Sequence, residues 1–274
     1  MTPLVALGAW LLATAARATA VLLVAWVVVR LMGRRRAALR HDVAAGALLG
    51  ALALPLLGGF APTIAIPTPL GLAPLGPGVL QAFALVWSAG ALVVLGRGAA
   101  ARLLLDRWAS EAQPVEDGPS HALLHSTRER LGLRREVLLL AHPDVASPMT
   151  FGVLRPLVLV PEAWSQWHVD RRRAVLLHEL AHVARLDALL EDLLLVTRAA
   201  FWFLPPVWLL ERDLREAREV DCDAAVVAAG ARASRYAGLL LRLTRAIQGR
   251  QPASVGLLHR LSKIRANSER TRAG

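Results

Sequence analysis

The N-terminal third of the chain is dominated by three long apolar stretches. They run from Leu4 to Met32, from Val43 to Phe60, and from Val79 to Leu95 with an extension to Leu105. A helix that crosses a bilayer needs about 20 largely apolar residues, and the second and third stretches have that length. The first also fits if the Arg17 side chain reaches towards the interface. The pattern predicts a transmembrane module of three helices over residues 1–109.

A cleaved signal peptide is the alternative interpretation of the first stretch. Signal peptides carry positive charge ahead of their apolar segment, whereas residues 1–16 contain no lysine or arginine. Further apolar runs of spanning length also follow. We therefore predict that this stretch remains in the protein as a membrane helix.

Short apolar segments alternate with polar ones after residue 110. Residues 111–120 (EAQPVEDGPS) are polar, with two prolines and one glycine, and predict a linker. A helix over 121–131 and a strand over 137–141 are expected next. Residues 150–160 (TFGVLRPLVLV) predict a hairpin with its turn near residues 152–156.

Four more helices are predicted downstream. The first runs from Arg171 to about Arg185 with Asp170 as its cap, and the others cover residues 188–204, 207–229 and 234–248. With the short strands they predict an α+β domain over residues 110–250. The basic, amphipathic tail over residues 251–274 is expected to lie on the membrane surface. The chain is therefore predicted to be a mainly α membrane protein.

Charge and composition add a location to this outline. The chain is 55% hydrophobic and carries a net charge of +11. Arginines cluster over residues 30–40 and again over 97–107, whereas residues 58–78 carry no charge. Positive residues favour the cytoplasmic side, so the N-terminus is expected outside and everything after about residue 105 inside. Membrane lipid is a better partner for this charge than nucleic acid, because the arginines are scattered and aromatic stacking platforms are missing. One cysteine, Cys222, fits a reducing compartment.

The most specific pattern is His178-Glu179-Leu180-Ala181-His182. Residues four apart lie on one face of a helix, so both imidazoles can reach one metal ion. Glu179 then lies close enough to act on a water that the metal activates. The alternative is a surface helix that carries two histidines by chance.

A catalytic zinc site usually has three protein ligands, so a third is needed from a later helix. Several acids fall on one downstream helix, and spacing alone leaves the choice among them open. The candidates are Glu211, Glu216, Glu219, Asp221 and Asp223.

HELAHVARLD over residues 178–187 resembles the active-site helix of the BlaR/MecR-type membrane metallopeptidases, which are bacterial antibiotic sensors. EVDCD over residues 219–223 is similar to that family's E-x-x-C-D segment, and SPMTFG over residues 147–152 resembles its strand before the zinc helix. Three spans before a cytoplasmic zinc domain is also the family layout. The resemblance implies a gluzincin-like zinc metallopeptidase domain with a small β-sheet.

The resemblance also implies roles for individual residues. His178, His182 and Glu219 would bind Zn²⁺, and Glu179 would act as the general base and later as the acid. Asp223, one helical turn after Glu219, is a candidate to accept a hydrogen bond from a ligand imidazole.

Two further elements of the site are expected. The strand formed by Met149, Thr150, Phe151 and Gly152 could align a substrate peptide by strand addition. An oxyanion needs a donor, and Arg235 and Tyr236 are the candidates.

Residues 193–210 form one more apolar segment, which contains FWFLPPVW and a single charge, Arg198. A full span here would place His182 and Glu219 on opposite sides of the bilayer, so they could not share a metal. We therefore interpret the segment as a pair of core helices that can dip into the inner leaflet.

Sensor members of the family continue through a fourth span into an extracellular penicillin-binding domain. The sequence reaches Gly274 without an S-x-x-K pattern, so we expect a member that lacks this sensor domain and receives its signal by another route. A homodimer or a separate sensor protein is the partner expected in that case.

The leading hypothesis is a zinc endopeptidase of the bacterial inner membrane that cleaves a cytoplasmic regulator of the transcriptional repressor type. One alternative is an HtpX-like protease that degrades membrane proteins for quality control. The other is a signalling protein without catalysis, although such a protein has no need of an intact HExxH and a matched glutamate.

Overall fold

The computed structural model describes residues 2–33, 36–57 and 75–229. Its first three helices are α1 (Pro3–Leu31), α2 (Ala37–Leu57) and α3 (Pro77–Glu111). All three are long and apolar enough to cross a membrane. Helical backbone satisfies its own hydrogen bonds, as the hydrocarbon layer demands. The three N-terminal membrane helices of the predicted fold are thereby confirmed as candidate spans.

Helix α3 is longer than a membrane span requires. Its 35 residues extend about 50 Å at 1.5 Å per residue, against a hydrocarbon layer of about 30 Å. Its last turns carry the ion pairs Arg102–Asp106 and Arg107–Glu111 and pack Leu105 and Trp108 against a small apolar cluster beneath the sheet. The third candidate span therefore continues directly into the domain that follows it.

A mixed sheet of four strands follows, formed by β1 (Gln113–Pro114), β2 (Leu138–His142), β3 (Met149–Phe151) and β4 (Leu157–Pro161). The strand order is β1-β2-β4-β3, with β2 and β4 parallel and β3 antiparallel to β4. All five residues of β4 are buried. Strand β3 pairs on one side only within this sheet, so it lies at an edge.

The β3–β4 hairpin has its turn at the predicted place. Gly152 has a backbone φ of +92°, a value that residues with a Cβ atom rarely adopt. A Cβ added there would also lie 2.4 Å from the carbonyl oxygen of Arg155. The turn that exposes β3 therefore requires glycine at position 152.

The predicted linker over residues 111–120 is wrong. Gln113 and Pro114 pair with β2, and the Val115 amide donates to the Leu139 carbonyl. Helix α4 (Gly118–Arg130) then begins at Gly118, where Asp117 caps it by accepting from the Ser120 amide at 2.7 Å. The polar composition reflects a cap and an edge strand rather than a free connection.

Three helices complete the described fold: α5 (Val169–Ala184), α6 (Asp187–Phe201) and α7 (Pro205–Ala228). The predicted cap at Asp170 is wrong, because His168 already has extended backbone and its ring nitrogen accepts from the Asp170 amide. Asp170 instead lies in the first helical turn. Between α5 and α6, Leu186 has a left-handed backbone with a φ of 59°.

Helices α6 and α7 pack into the membrane module. Leu194, Phe201 and Leu210 share an apolar cluster with residues of α1 and α2. The Trp87 indole in α3 donates to the Ala200 carbonyl at 2.8 Å, and the Trp202 indole donates to the Trp87 carbonyl at 3.2 Å. The α6–α7 pair therefore contacts a candidate span within its apolar part, in line with the expected core helix pair.

Buried charges join this packing at the helix ends. Asp213 in α7 has a side chain only 2% exposed, and its oxygens lie 3.1 Å from Arg30 Nε and 3.9 Å from Arg40 Nη2. Arg30 lies in the last turn of α1 and Arg40 in the first turn of α2. A single carboxylate of α7 thus forms ion pairs with arginines of two membrane helices.

Candidate metal centre

Helix α5 places His178 and His182 on the same face, as the four-residue spacing predicts. The two Nε2 atoms lie 3.3 Å apart. The opposite face of α5 is apolar and buries Leu176, Leu177 and Leu180 against the sheet and α4. The amphipathic pattern of this helix therefore orients both imidazoles away from the core.

Helix α7 brings Glu219 to these imidazoles. Its carboxylate oxygens lie 3.6 Å from His178 Nε2 and 4.0 Å from His182 Nε2. The three side chains form a group whose ligand atoms are all within 4.8 Å of one another. Of the acids that the sequence left open on this helix, Glu219 is the one whose carboxylate faces both Nε2 atoms.

The distances fit a tetrahedral ion. Two nitrogens that are each about 2.0–2.1 Å from a tetrahedral zinc lie roughly 3.3–3.4 Å from each other, and the imidazole nitrogens are 3.3 Å apart. Two imidazoles and one carboxylate are also a donor set used by catalytic zinc. The residues present therefore fit a metal ion of this kind.

Each imidazole has an aspartate on its other ring nitrogen. Asp223 Oδ1 lies 3.1 Å from His178 Nδ1, and Asp187 Oδ2 lies 2.7 Å from His182 Nδ1. Such a carboxylate keeps the proton on Nδ1 and leaves the Nε2 lone pair for the metal. Both rings are thus held in the tautomer that a shared ion requires.

Asp187 is not among the site residues that the sequence predicts. Leu186 occupies the cap position, and Asp187 is the first residue of α6, with 5% of its surface exposed. The left-handed backbone at Leu186 turns the chain so that Asp187 faces back towards His182. An acid five residues after the second histidine was the signal that could have identified it.

The electrostatic balance around His178 favours a cation. Burial alone would lower the pKa of its imidazole, but the carboxylates of Asp223 and Glu219 and the charge of Glu179 outweigh burial and raise the pKa to about 10. The hydrogen bond to His178 lowers the pKa of Glu219, against the opposing effect of burial. The carboxylates around His178 therefore favour positive charge at this position.

Glu179 lies between the two histidines and is 8% exposed. The Thr150 hydroxyl in β3 donates to its Oε2 at 2.8 Å. Both residues line a cavity of about 420 Å³ together with the three candidate ligands. The candidate base is thus directed into the same space as the metal site.

The predicted substrate strand borders this cavity in part. Met149, Thr150 and Gly152 line it. Phe151 does not, because its side chain is buried on the other side of the sheet with Val145 and Leu159. Thr150 and Phe151, which are adjacent in the strand, thus face opposite sides of the sheet, as the two-residue period of a strand requires.

Cys222 contacts the site from behind His182, with its sulfur 3.5 Å from Nδ1. Burial and the nearby charge of Asp187 raise the pKa of the thiol to about 12. The sulfur lies on the Nδ1 side of the ring, where Asp187 also lies, whereas Glu219 faces Nε2. Cys222 therefore packs beside the centre. Arg235 and Tyr236, the candidate oxyanion donors, lie outside the described residues.

Comparison with known proteins gives a match to one family model and matches to two kinds of regulatory or resistance protein. A model of the BlaR1 peptidase M56 family matches residues 75–266. The "Regulatory protein BlaR1" of Bacillus licheniformis is 34% identical over 147 residues, which cover 54% of this chain and 24% of that protein. The "Methicillin resistance mecR1 protein" of Staphylococcus aureus is 27% identical over 85 residues, which cover 31% of this chain and 14% of that protein. The chain therefore spans about a quarter or less of the length of these relatives.

The family match covers more than half of the chain, including the HExxH helix and α7. With the three candidate spans, it describes a membrane protein with a metallopeptidase domain, related to signal transducers. The resemblance noted in the sequence is thereby confirmed. The chain belongs to the BlaR1 peptidase M56 family.

Proposed function

We propose that this protein is a zinc-dependent endopeptidase that cleaves a cytoplasmic regulatory protein of the transcriptional repressor type. The observation that carries the proposal is the convergence of His178, His182 and Glu219 beside Glu179, in a cavity bordered by an edge strand. A structural metal site is normally closed by four protein ligands. Three ligands that face a cavity large enough for peptide are the arrangement of a catalytic site.

When bound, the ion supplies an acidic water and polarises the scissile carbonyl. Glu179 takes the proton from that water and delivers it to the leaving amine. Asp187 and Asp223 hold the ligand imidazoles in position through their Nδ1 atoms. The free edge of β3 aligns the substrate backbone by strand addition. Arg235 or Tyr236 remains the proposed donor to the oxyanion.

The site is proposed to face the cytoplasm of a bacterial inner membrane. The arginines over residues 30–40 and 97–107 flank the spans on one side, which the positive-inside rule assigns to the cytoplasm. Asp213 pairs with Arg30 and Arg40, so α7 meets the membrane helices on that side. The division into residues 1–109, 110–250 and 251–274 remains part of the proposal.

The substrate class rests on the relatives' names. BlaR1 is called a regulatory protein and mecR1 a methicillin resistance protein. A role in regulation is therefore favoured over the degradation of misfolded membrane proteins by an HtpX-like protease, and we propose a regulator as the substrate on that ground. A homodimer or a separate sensor protein is the proposed partner in signalling.

Purified protein in detergent tests the proposal. We expect about one zinc ion per chain, and cleavage of a library of quenched fluorescent peptides. Glu179→Gln should keep the zinc and lose the cleavage, whereas the exposed Glu162→Gln should match the unchanged protein in both. Equal cleavage by Glu179→Gln and the unchanged protein would remove Glu179 as the base. Absence of bound metal after zinc loading would overturn the site itself.

Cleavage of whole proteins separates the two enzyme hypotheses. A folded repressor from the same genome should be cut at one position, while an unfolded membrane protein should survive. The reverse preference would favour the quality-control alternative.

A further inference from the structure

The carboxylate of the general base in the proposed reaction must be oriented as well as correctly located. A glutamate side chain has three rotatable torsions, and a base must lie within hydrogen-bond reach of the proton it removes. Glu179 projects from α5 into the cavity, where a free carboxylate could rotate among several directions. A contact with a residue that lines the cavity is therefore needed to hold the carboxylate in one orientation.

Thr150 makes the contact that can do this. Its Oγ1 lies 2.8 Å from Glu179 Oε2 and 3.3 Å from the Glu179 main-chain oxygen. The hydroxyl therefore holds one oxygen of the carboxylate, while the other oxygen is left for a second partner. A neutral donor of this kind orients a carboxylate without cancelling its charge.

The Thr150 side chain is itself held in place. It belongs to β3, where it pairs with Val158 of the fully buried strand β4. A β-branched side chain is restricted at its first torsion, so the hydroxyl position follows from the strand backbone. The strained Gly152 turn fixes where that strand ends.

Thr150 also lies on the strand that borders the substrate cavity. A peptide added to the edge of β3 would contact the backbone whose side chain holds the base. The strand whose backbone aligns the substrate would then also carry the hydroxyl that orients the base.

We propose that Thr150 is a positioning residue that orients the Glu179 carboxylate for proton transfer. It does so from β3, the strand along which the substrate is proposed to bind. This inference rests on the proposed endopeptidase function. It concerns the chemical step, and so it predicts an effect on kcat rather than on metal binding or substrate affinity.

Two substitutions separate the hydroxyl from the shape of the side chain. Thr150→Val keeps the branching and volume that favour a strand but removes the donor, and Thr150→Ser keeps the donor. We expect Thr150→Val to lower kcat roughly 10- to 100-fold, the range for one lost hydrogen bond to a charged group. KM and zinc content should stay as in the unchanged protein, and Thr150→Ser should recover most of the lost rate.

A double-mutant comparison tests whether Thr150 acts through Glu179. Residues that act as a unit show effects that do not add. In a Glu179→Asp background, whose shorter carboxylate no longer reaches the hydroxyl, Thr150→Val should cost much less than it does alone. Additive losses would overturn the proposal, as would an unchanged kcat in Thr150→Val or a failure of Thr150→Ser to recover the rate.

The outcomes also distinguish this inference from the function on which it rests. If the unchanged protein cleaves and Glu179→Gln does not, while Thr150→Val cleaves normally, only the positioning role fails. If no variant or unchanged protein cleaves any peptide in the presence of zinc, the endopeptidase function fails.

Discussion

The two halves of helix α7 carry the same residue types in different settings. In the first half, Glu211 and Asp213 are buried against arginines, with Arg198 3.3 Å from Glu211 and Arg30 3.1 Å from Asp213. In the second half, Glu219 and Asp223 face imidazoles. A carboxylate opposite a guanidinium is already neutralised, whereas a carboxylate opposite an imidazole nitrogen can share a metal with it. The groups across from α7, rather than its own sequence, decide which acids serve the site.

The largest effect is expected at the ligand itself. Glu219→Gln should lose zinc and cleavage, by more than the roughly 10- to 100-fold that loss of an outer-shell partner costs. Glu216→Gln, one turn earlier and exposed, should behave as the unchanged protein. Metal content and peptide cleavage measure both, and equal zinc retention in the two variants would contradict the assignment of Glu219.

A smaller loss is expected behind the ligands. Asp187→Asn should weaken zinc binding about 10- to 100-fold, because His182 would lose the carboxylate that fixes its tautomer. Asp221→Asn is the matched control, since Asp221 pairs with Arg185 and not with a ligand. Competition with a chelator of known affinity measures both. A similar loss in each variant would show that the region is merely sensitive to charge.

Zinc uptake should depend on pH in a defined direction. The pKa of His178 in the metal-free protein is raised to about 10, so below that pH its proton must leave before the metal binds. The apparent zinc affinity should therefore rise as pH rises, by roughly tenfold per pH unit for one released proton. Calorimetry in buffers of different ionisation enthalpy counts the protons released, and an affinity that stays constant between pH 6 and 8 would contradict this.

The membrane half of α7 should affect stability and leave the metal alone. Asp213→Asn leaves Arg30 and Arg40 without their shared partner and should destabilise the fold. We expect at most the roughly 3–5 kcal/mol of a broken buried pair, because Arg30 is half exposed. Thermal unfolding in detergent measures the loss. A large fall in zinc affinity at a temperature where the variant is folded would show that the two halves of α7 are not independent.

The sequence predicted what depends on periodicity. The four-residue spacing was sufficient to place His178 and His182 on one face, and the apolar runs were sufficient to find the three spans. Glu219 needed the family resemblance, because several acids on one helix are equivalent by spacing. The contact between Thr150 and Glu179 joins residues from two different elements, and no local pattern encodes it.

The misses arose where local structure depends on distant contacts. Residues 111–120 looked like a linker because a strand of two residues exists only through its partner β2. His168 was not expected as a cap, because histidine is not among the residues that favour this position and Asp170 two residues later is. Asp187 was not predicted as a site residue, because the left-handed turn that directs it towards His182 occurs at Leu186. A leucine, unlike a glycine, gives no sequence signal for such a turn.

The left-handed residue Leu186 also fixes the length of the connection between α5 and α6. Only Arg185 and Leu186 separate the two helices, so one inserted residue would rotate α6 by roughly 100° relative to α5. Asp187 would then turn away from His182, and Leu194 and Phe201 would turn out of their cluster with the membrane helices. The orientation of α6 therefore serves the metal centre and the membrane packing together. An insertion or deletion at residues 184–187 should disrupt both at once.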